Sequence, residues 1–243
     1  MNRTQRRSRS RLAAIAVLSA SFSLTIISPD ANARPLGRPR GNSSTGAVRG
    51  ACSAQQSTKN RQLLALVDAS TQTTQTLQAR PTLWFYIPFA RTEDVTTVEF
   101  ELLDENQKPI LKAKTISLTL PDKPGVAKFT LPTIEQPLAV GKDYFWIFRV
   151  MCDSSDFSAN PSVSGWIKRV NLSGTIASQL KSTPPQNQYT IYEKNQMWFE
   201  QITSLAEHRT QQPQAWATLL NKFNLKDFAQ IAPIDLRPVS QSK

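Results

Sequence analysis

The fifteen residues from Leu138 to Cys152, LAVGKDYFWIFRVMC, constrain the fold more than any other stretch. They join a turn signal, a strand pattern and a cysteine whose only possible partner lies far upstream. Leu138 and Tyr144 stand six residues apart with Gly141 between them. That is the spacing at which a β-sandwich tucks a tyrosine back across the connection leading into a central strand, the tyrosine corner. From Tyr144 onward Tyr144, Trp146, Phe148 and Val150 take one face of a strand and Phe145 and Ile147 the other. Such a strand is covered on both sides. In an antiparallel domain a second sheet supplies one cover, and the C-terminal helices are expected to supply the other, because a bare sandwich would leave Phe145 and Ile147 wet. An aromatic strip facing a ligand is the alternative use of the same side chains.

The first 33 residues carry Arg3, Arg6, Arg7, Arg9 and Arg11, an apolar run from Leu12 to Ile27, and then Ala31-Asn32-Ala33. This order is that of a secretory signal peptide cleaved after Ala33. The apolar run is short for a membrane span and is interrupted by serines and threonines, and no later run is long enough to cross a bilayer. The Arg6-Arg7 pair lacks the surroundings of a twin-arginine signal, so general secretion to the periplasm or the extracellular space is expected. Removing this segment takes five of the 29 Lys and Arg and one of the 18 Asp and Glu, leaving a formal +7 on 210 residues. That length suits one domain or one plus an appendage.

Cys52 and Cys152 are the two cysteines, and in an exported chain they predict a disulfide. Two unpaired thiols are the alternative. The bond would close a loop of roughly 100 residues, worth on the order of 4 to 5 kcal/mol on the chain-entropy account. A single histidine, His208, and no Cys-x-x-Cys argue against a metal site, and no cofactor is expected.

From Arg34 to Arg61 the chain carries Arg34, Arg38, Arg40, Arg49, Lys59 and Arg61 and no acid, among Gly, Pro, Ser and Gln. The composition predicts a disordered basic leader over residues 34–51. It could hold a cell-envelope protein, an anionic envelope polymer or lipid headgroups, or it could be only a solvated leader. Gly41 to Gly46, GNSSTG, lacks the lysine and the preceding strand of a phosphate loop.

Residues 52–174 read as a β-sandwich. Leu63 to Asp68 forms a short first strand, and a Thr/Gln-rich connection leads to PTLWFYIP, where Pro81 and Pro88 bracket a strand. In it Leu83, Phe85 and Ile87 oppose Trp84 and Tyr86, and this strand is expected to neighbour the Tyr144 strand. Val98, Phe100 and Leu102 alternate with Thr97, Glu99 and Glu101, a half-exposed strand. After an Asp104–Gln107 turn, Ile110 to Leu118 is expected as an edge strand with Lys112 and Lys114 pointing outward. Val126 to Leu131 and Val163 to Val170 complete about seven strands, the count of an immunoglobulin-like or fibronectin-like sandwich.

Beyond Pro184-Pro185 the period changes. Ile191, Asn195, Trp198, Ile202 and Leu205 fall at helical spacing from Tyr189 to Arg209, and Pro213 suits the start of a second helix bearing Trp216, Leu219, Leu220 and Phe223. A short turn is expected around Leu225 to Ala229. Residues 175–236 therefore read as a helical hairpin packed on the sandwich, an α+β fold, with 237–243 as a tail.

Taken together, Arg49 with Cys52, Pro81 to Pro88, Glu99-Phe100 with Leu102, Gly141-Lys142 with Tyr144, Trp146, Phe148 and Cys152, Gly165-Trp166-Ile167 with Arg169, and Trp198-Phe199 with Leu205, Ala206 and Arg209 carry a resemblance. Over about Arg49 to Pro233 the chain resembles an uncharacterised family of exported cyanobacterial proteins, domain of unknown function 928. The family pattern has Gly-Ile before the tryptophan and Tyr-Asp after it, where this chain has Gln196-Met197 and Phe199-Glu200. The resemblance implies no reaction, cofactor or catalytic residue.

Three constellations bear on chemistry. Ser204, Glu207 and His208 contain the residue types of a hydrolytic triad, but neighbours on one helix rarely meet in that geometry. Glu99 and Glu101 share a strand face roughly 7 Å apart, compatible with glycoside hydrolysis and equally with a solvated face. Trp84, Tyr86 and Trp166 could form a glycan platform if the helices leave them bare. Basic charge without interleaved aromatics, in an exported chain, argues against nucleic acid. The expectation is a non-catalytic binding module whose contacts begin with Arg34, Arg38, Arg40 and Arg49, followed by Trp166 and Arg169. A hydrolase acting on envelope glycans is the alternative, and oligomeric state is left open.

Overall fold

The computed structural model describes Cys52, residues 62–68 and residues 70–239. The expected signal peptide and the leader with Arg34, Arg38, Arg40 and Arg49 lie outside the described residues. The fold is α+β, with two mixed sheets and four α-helices among the described residues.

One sheet has the order β1 (Leu64–Ala65), β3 (Thr82–Ile87), β6 (Gly125–Thr130), β9 (Ile234–Asp235). The other runs β2 (Thr73–Thr76), β8 (Ser162–Arg169), β7 (Asp143–Val150), β4 (Thr97–Leu103), β5 (Thr115–Thr119). Neighbours are antiparallel except β2 with β8 and β6 with β9. The alternation legible in β4 and β7 is the one used: Val98, Phe100, Leu102, Tyr144, Trp146, Phe148 and Val150 are buried. The sheets meet through aromatic rings, with Phe85 stacked on Phe148 at 3.8 Å and Phe100 tilted against Phe129 at 4.8 Å between centroids.

The strand bracketed by prolines does not neighbour β7. β3 pairs with β1 and β6 and faces β7 across the core, because β4 and β8 already occupy both edges of β7. The expected start of the edge strand at Ile110 is also corrected. Leu111 to Lys114 close a turn, with Lys114 at φ 64°, and both Lys112 and Lys114 lie exposed before β5 rather than on it. Glu135 holds that turn by accepting the Lys112 N–H at 3.0 Å.

The corner forms as the spacing predicts. Gly141 sits at φ 81°, and the Ala139 N–H donates to Tyr144 Oη at 3.0 Å. The disulfide joins Cys52 to Cys152 with their Cα atoms 5.4 Å apart. Asn160 shapes its landing point, its Oδ1 accepting the N–H groups of Cys152 and Asp153 at 2.7 and 2.8 Å.

Four helices follow: α1 (Gly174–Ser182), α2 (Tyr189–Lys194), α3 (Trp198–Glu207) and α4 (Pro213–Asn221, with proline in its first turn as expected). The helix expected from Tyr189 to Arg209 is broken in two. Gln196 takes φ 58°, and the bonds Gln196 N–H to Glu193 O and Met197 N–H to Tyr192 O terminate α2 in a Schellman arrangement. The helices cover β3 rather than the outer face of β7. Trp216 of α4 meets Trp84 edge-on at 6.1 Å, Phe228 meets Tyr86 at 5.1 Å, and the Trp198 indole N–H donates to Leu66 O at 2.7 Å. On the outer face of β7, Phe145 packs instead on Trp166, its cross-strand partner, at 5.1 Å, and Ile147 is half-buried.

The C-terminal segment closes the open side. After β9 pairs with β6, Thr119 N–H donates to Arg237 O at 3.0 Å and Val239 N–H to Ser117 O at 2.9 Å, so one strap forms the edge of one sheet and bonds to the edge strand β5 of the other.

Candidate ligand cleft

Residues 73–76, TTQT, carry no apolar signature, yet they form a parallel strand on β8 that lays the turn after Thr76 against the start of α3. Glu200 is the third residue of α3. Its carboxylate reaches across to β2, where Oε1 accepts the Thr76 hydroxyl and the Leu77 N–H, both at 2.7 Å. Its other oxygen, Oε2, is buried and has no hydrogen-bond partner among the described residues. Glu200 is only 6% exposed. Burial pushes its carboxyl above the usual carboxylate range, against the opposing pull of the Thr76 and Leu77 donors.

Thr203, Ser204 and Glu207 share a helical face with Glu200 by their spacing of three, four and seven residues. With Tyr192 from α2 and Phe199 they line one wall of a cleft of about 270 Å³. Thr76, Gln78, Arg80 and Thr82 line the other. The guanidinium of Arg80 is tied to the Pro132, Thr133 and Glu135 carbonyls at 3.3, 3.1 and 3.0 Å. Thr203 Oγ1 accepts the Trp84 indole N–H at 3.0 Å, which leaves its own O–H to donate. Burial raises the Tyr192 hydroxyl above its ordinary value, and the charges of Glu200 and Glu207 add to that.

The residues singled out from sequence fall elsewhere. Trp166 is 4% exposed and packed against Phe145. Arg169 is half-buried and braces the tyrosine corner, with Nη1 donating to Leu138 O at 2.9 Å. The glycan platform is not formed: Trp84 and Tyr86 lie beneath the helices and Trp166 beside Phe145, all three buried. Glu101 is engaged by Arg149 at 2.8 Å, which separates its role from that of Glu99. The His208 ring meets the Ser204 carbonyl at 2.9 Å, not the hydroxyl, so no Ser–His relay forms there.

Glu200 was legible only as the polar side of a helix. The only local signal is an acid directly after Trp198-Phe199, on the helix turn whose aromatics are buried. Groups of His, Cys, Asp and Glu able to hold a metal ion are absent among the described residues. No described helix is long and apolar enough to cross a membrane.

No curated protein and no solved structure matches the chain. A family match spans residues 44–233, which includes β1 to β8, the disulfide and every wall of the cleft. The chain belongs to the family described as Domain of Unknown Function (DUF928).

Proposed function

We propose that the chain is an exported, non-catalytic binding module of the cell envelope, built on an immunoglobulin-like sandwich, with the cleft over Glu200 as its ligand site. Export is supported by the arginines, apolar run and Ala-Asn-Ala of residues 1–33 and by the disulfide, a bond that persists in oxidising compartments. The immunoglobulin-like order is supported by β2 running parallel to β8 beside an antiparallel β8–β7–β4–β5 run, and by the Tyr144 corner. The observation that carries the binding reading is Glu200 Oε2. A buried acceptor left without a donor, at the wall of a polar cleft, is a position that a ligand can complete. Arg34, Arg38, Arg40 and Arg49 are proposed as a second contact, toward an envelope protein or an anionic polymer.

One observation favours the hydrolase alternative: a carboxyl with a raised proton affinity shares the cleft with a second acid, Glu207. Seven residues of helix separate the two backbones by about 10.5 Å. Glu200 Oε1 is already held by Thr76 and Leu77, and Glu207 is an exposed side chain with no partner acid packed against it among the described residues, so binding is the better-supported reading.

The test is retention of envelope components by the full chain, comparing wild type, Tyr192→Ala, and a variant with Arg34, Arg38, Arg40 and Arg49 all changed to Ser. One component held reproducibly by wild type supports the module, and its loss in either variant locates the contact. Turnover of an envelope polymer abolished by Glu200→Gln would replace binding with hydrolysis. Retention of nothing at any salt concentration refutes both contacts.

A further inference from the structure

We propose that the cleft over Glu200 takes a neutral, hydroxyl-rich ring, a pyranose unit of a glycan, in preference to a cation or an anion; this rests on the binding reading above. The unpartnered Oε2 sets the first requirement: it lies buried at the cleft wall, so a ligand meets it through a small turn of the Glu200 carboxyl toward the cleft. A hydroxyl both donates and accepts, so it satisfies that oxygen whether or not the carboxyl carries its proton. An ammonium only donates, would be stripped of its hydration, and would share the cleft with the Arg80 guanidinium. An anion would face Glu200 and Glu207 together.

The rest of the cleft has the mixed character a sugar needs. Thr203 offers a donor, and the Ser204 and Tyr192 hydroxyls and the Gln78 carboxamide have no side-chain hydrogen-bond partner among the described residues. Donors and acceptors thus both line a space of about 270 Å³. The half-buried ring of Tyr192 adds an apolar surface against which the C–H face of a pyranose can lie.

Saturation-transfer NMR on the full chain, with its disulfide formed, tests this using glucose, N-acetylglucosamine, n-butylammonium and methyl phosphate as probes. Wild type is compared with Tyr192→Ala and with Glu207→Ala, an exposed position, and each variant's thermal transition is recorded to separate binding from folding. Signal from at least one sugar is expected, weakened at least tenfold in a folded Tyr192→Ala, with no signal from either ion. Signal from n-butylammonium that is lost in Glu207→Ala, or from methyl phosphate that is lost in Tyr192→Ala, overturns the assignment. Absence of signal from every probe also overturns it. If envelope retention still depends on Tyr192 in that case, the module stands and only the sugar falls. If retention is absent too, both fail.

Discussion

Gly165 lies opposite Trp146 in the β7–β8 ladder, and the indole fills the space its missing side chain leaves. A Cβ there would stand 2.6 Å from Trp146 Cζ2, 3.0 Å from Cε2 and 3.2 Å from Nε1. Trp146 has nowhere to retreat, being 1% exposed and wedged edge-on against Phe85 at 5.8 Å. Gly165→Ala therefore overpacks a rigid core, which costs about 1 to 3 kcal/mol. Restricting the unfolded chain returns about 0.4 to 1 kcal/mol. The net expectation is a loss of up to about 2.6 kcal/mol, read in urea as a lower midpoint with an unchanged slope. The control is Trp146→Phe, which removes all three clashing atoms together with an indole N–H that has no partner. In that background Gly165→Ala should be neutral or stabilising, a coupling of about 1 kcal/mol or more between the two sites. Equal losses from Gly165→Ala in both backgrounds would refute the argument that the glycine exists to seat the indole.

Three other perturbations probe independent features. Replacing Cys52 and Cys152 together by Ser opens a loop spanning 100 residues and should cost about 4 to 5 kcal/mol on the entropic account, measured by urea unfolding; an unchanged midpoint would dissociate the bond from stability. Gln196→Gly relieves a left-handed conformation at φ 58° and should stabilise by up to about 1 kcal/mol in a thermal melt, whereas a loss would show that the Gln196 side chain is needed there. The raised proton affinity of Glu200 makes the folded state hold its proton more tightly than the unfolded chain does. Stability from this site is complete below the ordinary glutamate pKa and is lost as pH rises through the raised value. Glu200→Gln should remove that decline, and identical pH profiles for the two proteins would contradict the burial argument.

Local chemistry determined a large share of the molecule. The period of two in Val98–Leu102 and Tyr144–Val150 assigns inner and outer faces without any partner, because side chains alternate along a strand whatever lies beside it. Gly141 with Tyr144 specifies the corner for the same reason, as a bond closed within six residues. The two cysteines left a single intrachain pairing to consider. Pro213 marks the start of α4 because its fixed backbone suits a first turn.

Only the tertiary structure decided the rest. The threonines of Thr73–Thr76 suit a strand but carry no apolar alternation to announce one; it is the open edge of β8 that makes them β2. Trp84 and Tyr86 announce a second apolar face, but an apolar face attracts any cover. The choice of β3 over the outer side of β7 rests on where Trp216 and Phe228 arrive. The break between α2 and α3 hides behind a glutamine in a conformation usually left to glycine. Glu200 became a site only when Thr76, 124 residues away, met its carboxylate on one side and left the other oxygen unpaired. Periodicity is written into neighbouring residues, whereas the burial of a charge depends on which distant segments close around it, and that is settled only when the whole chain packs.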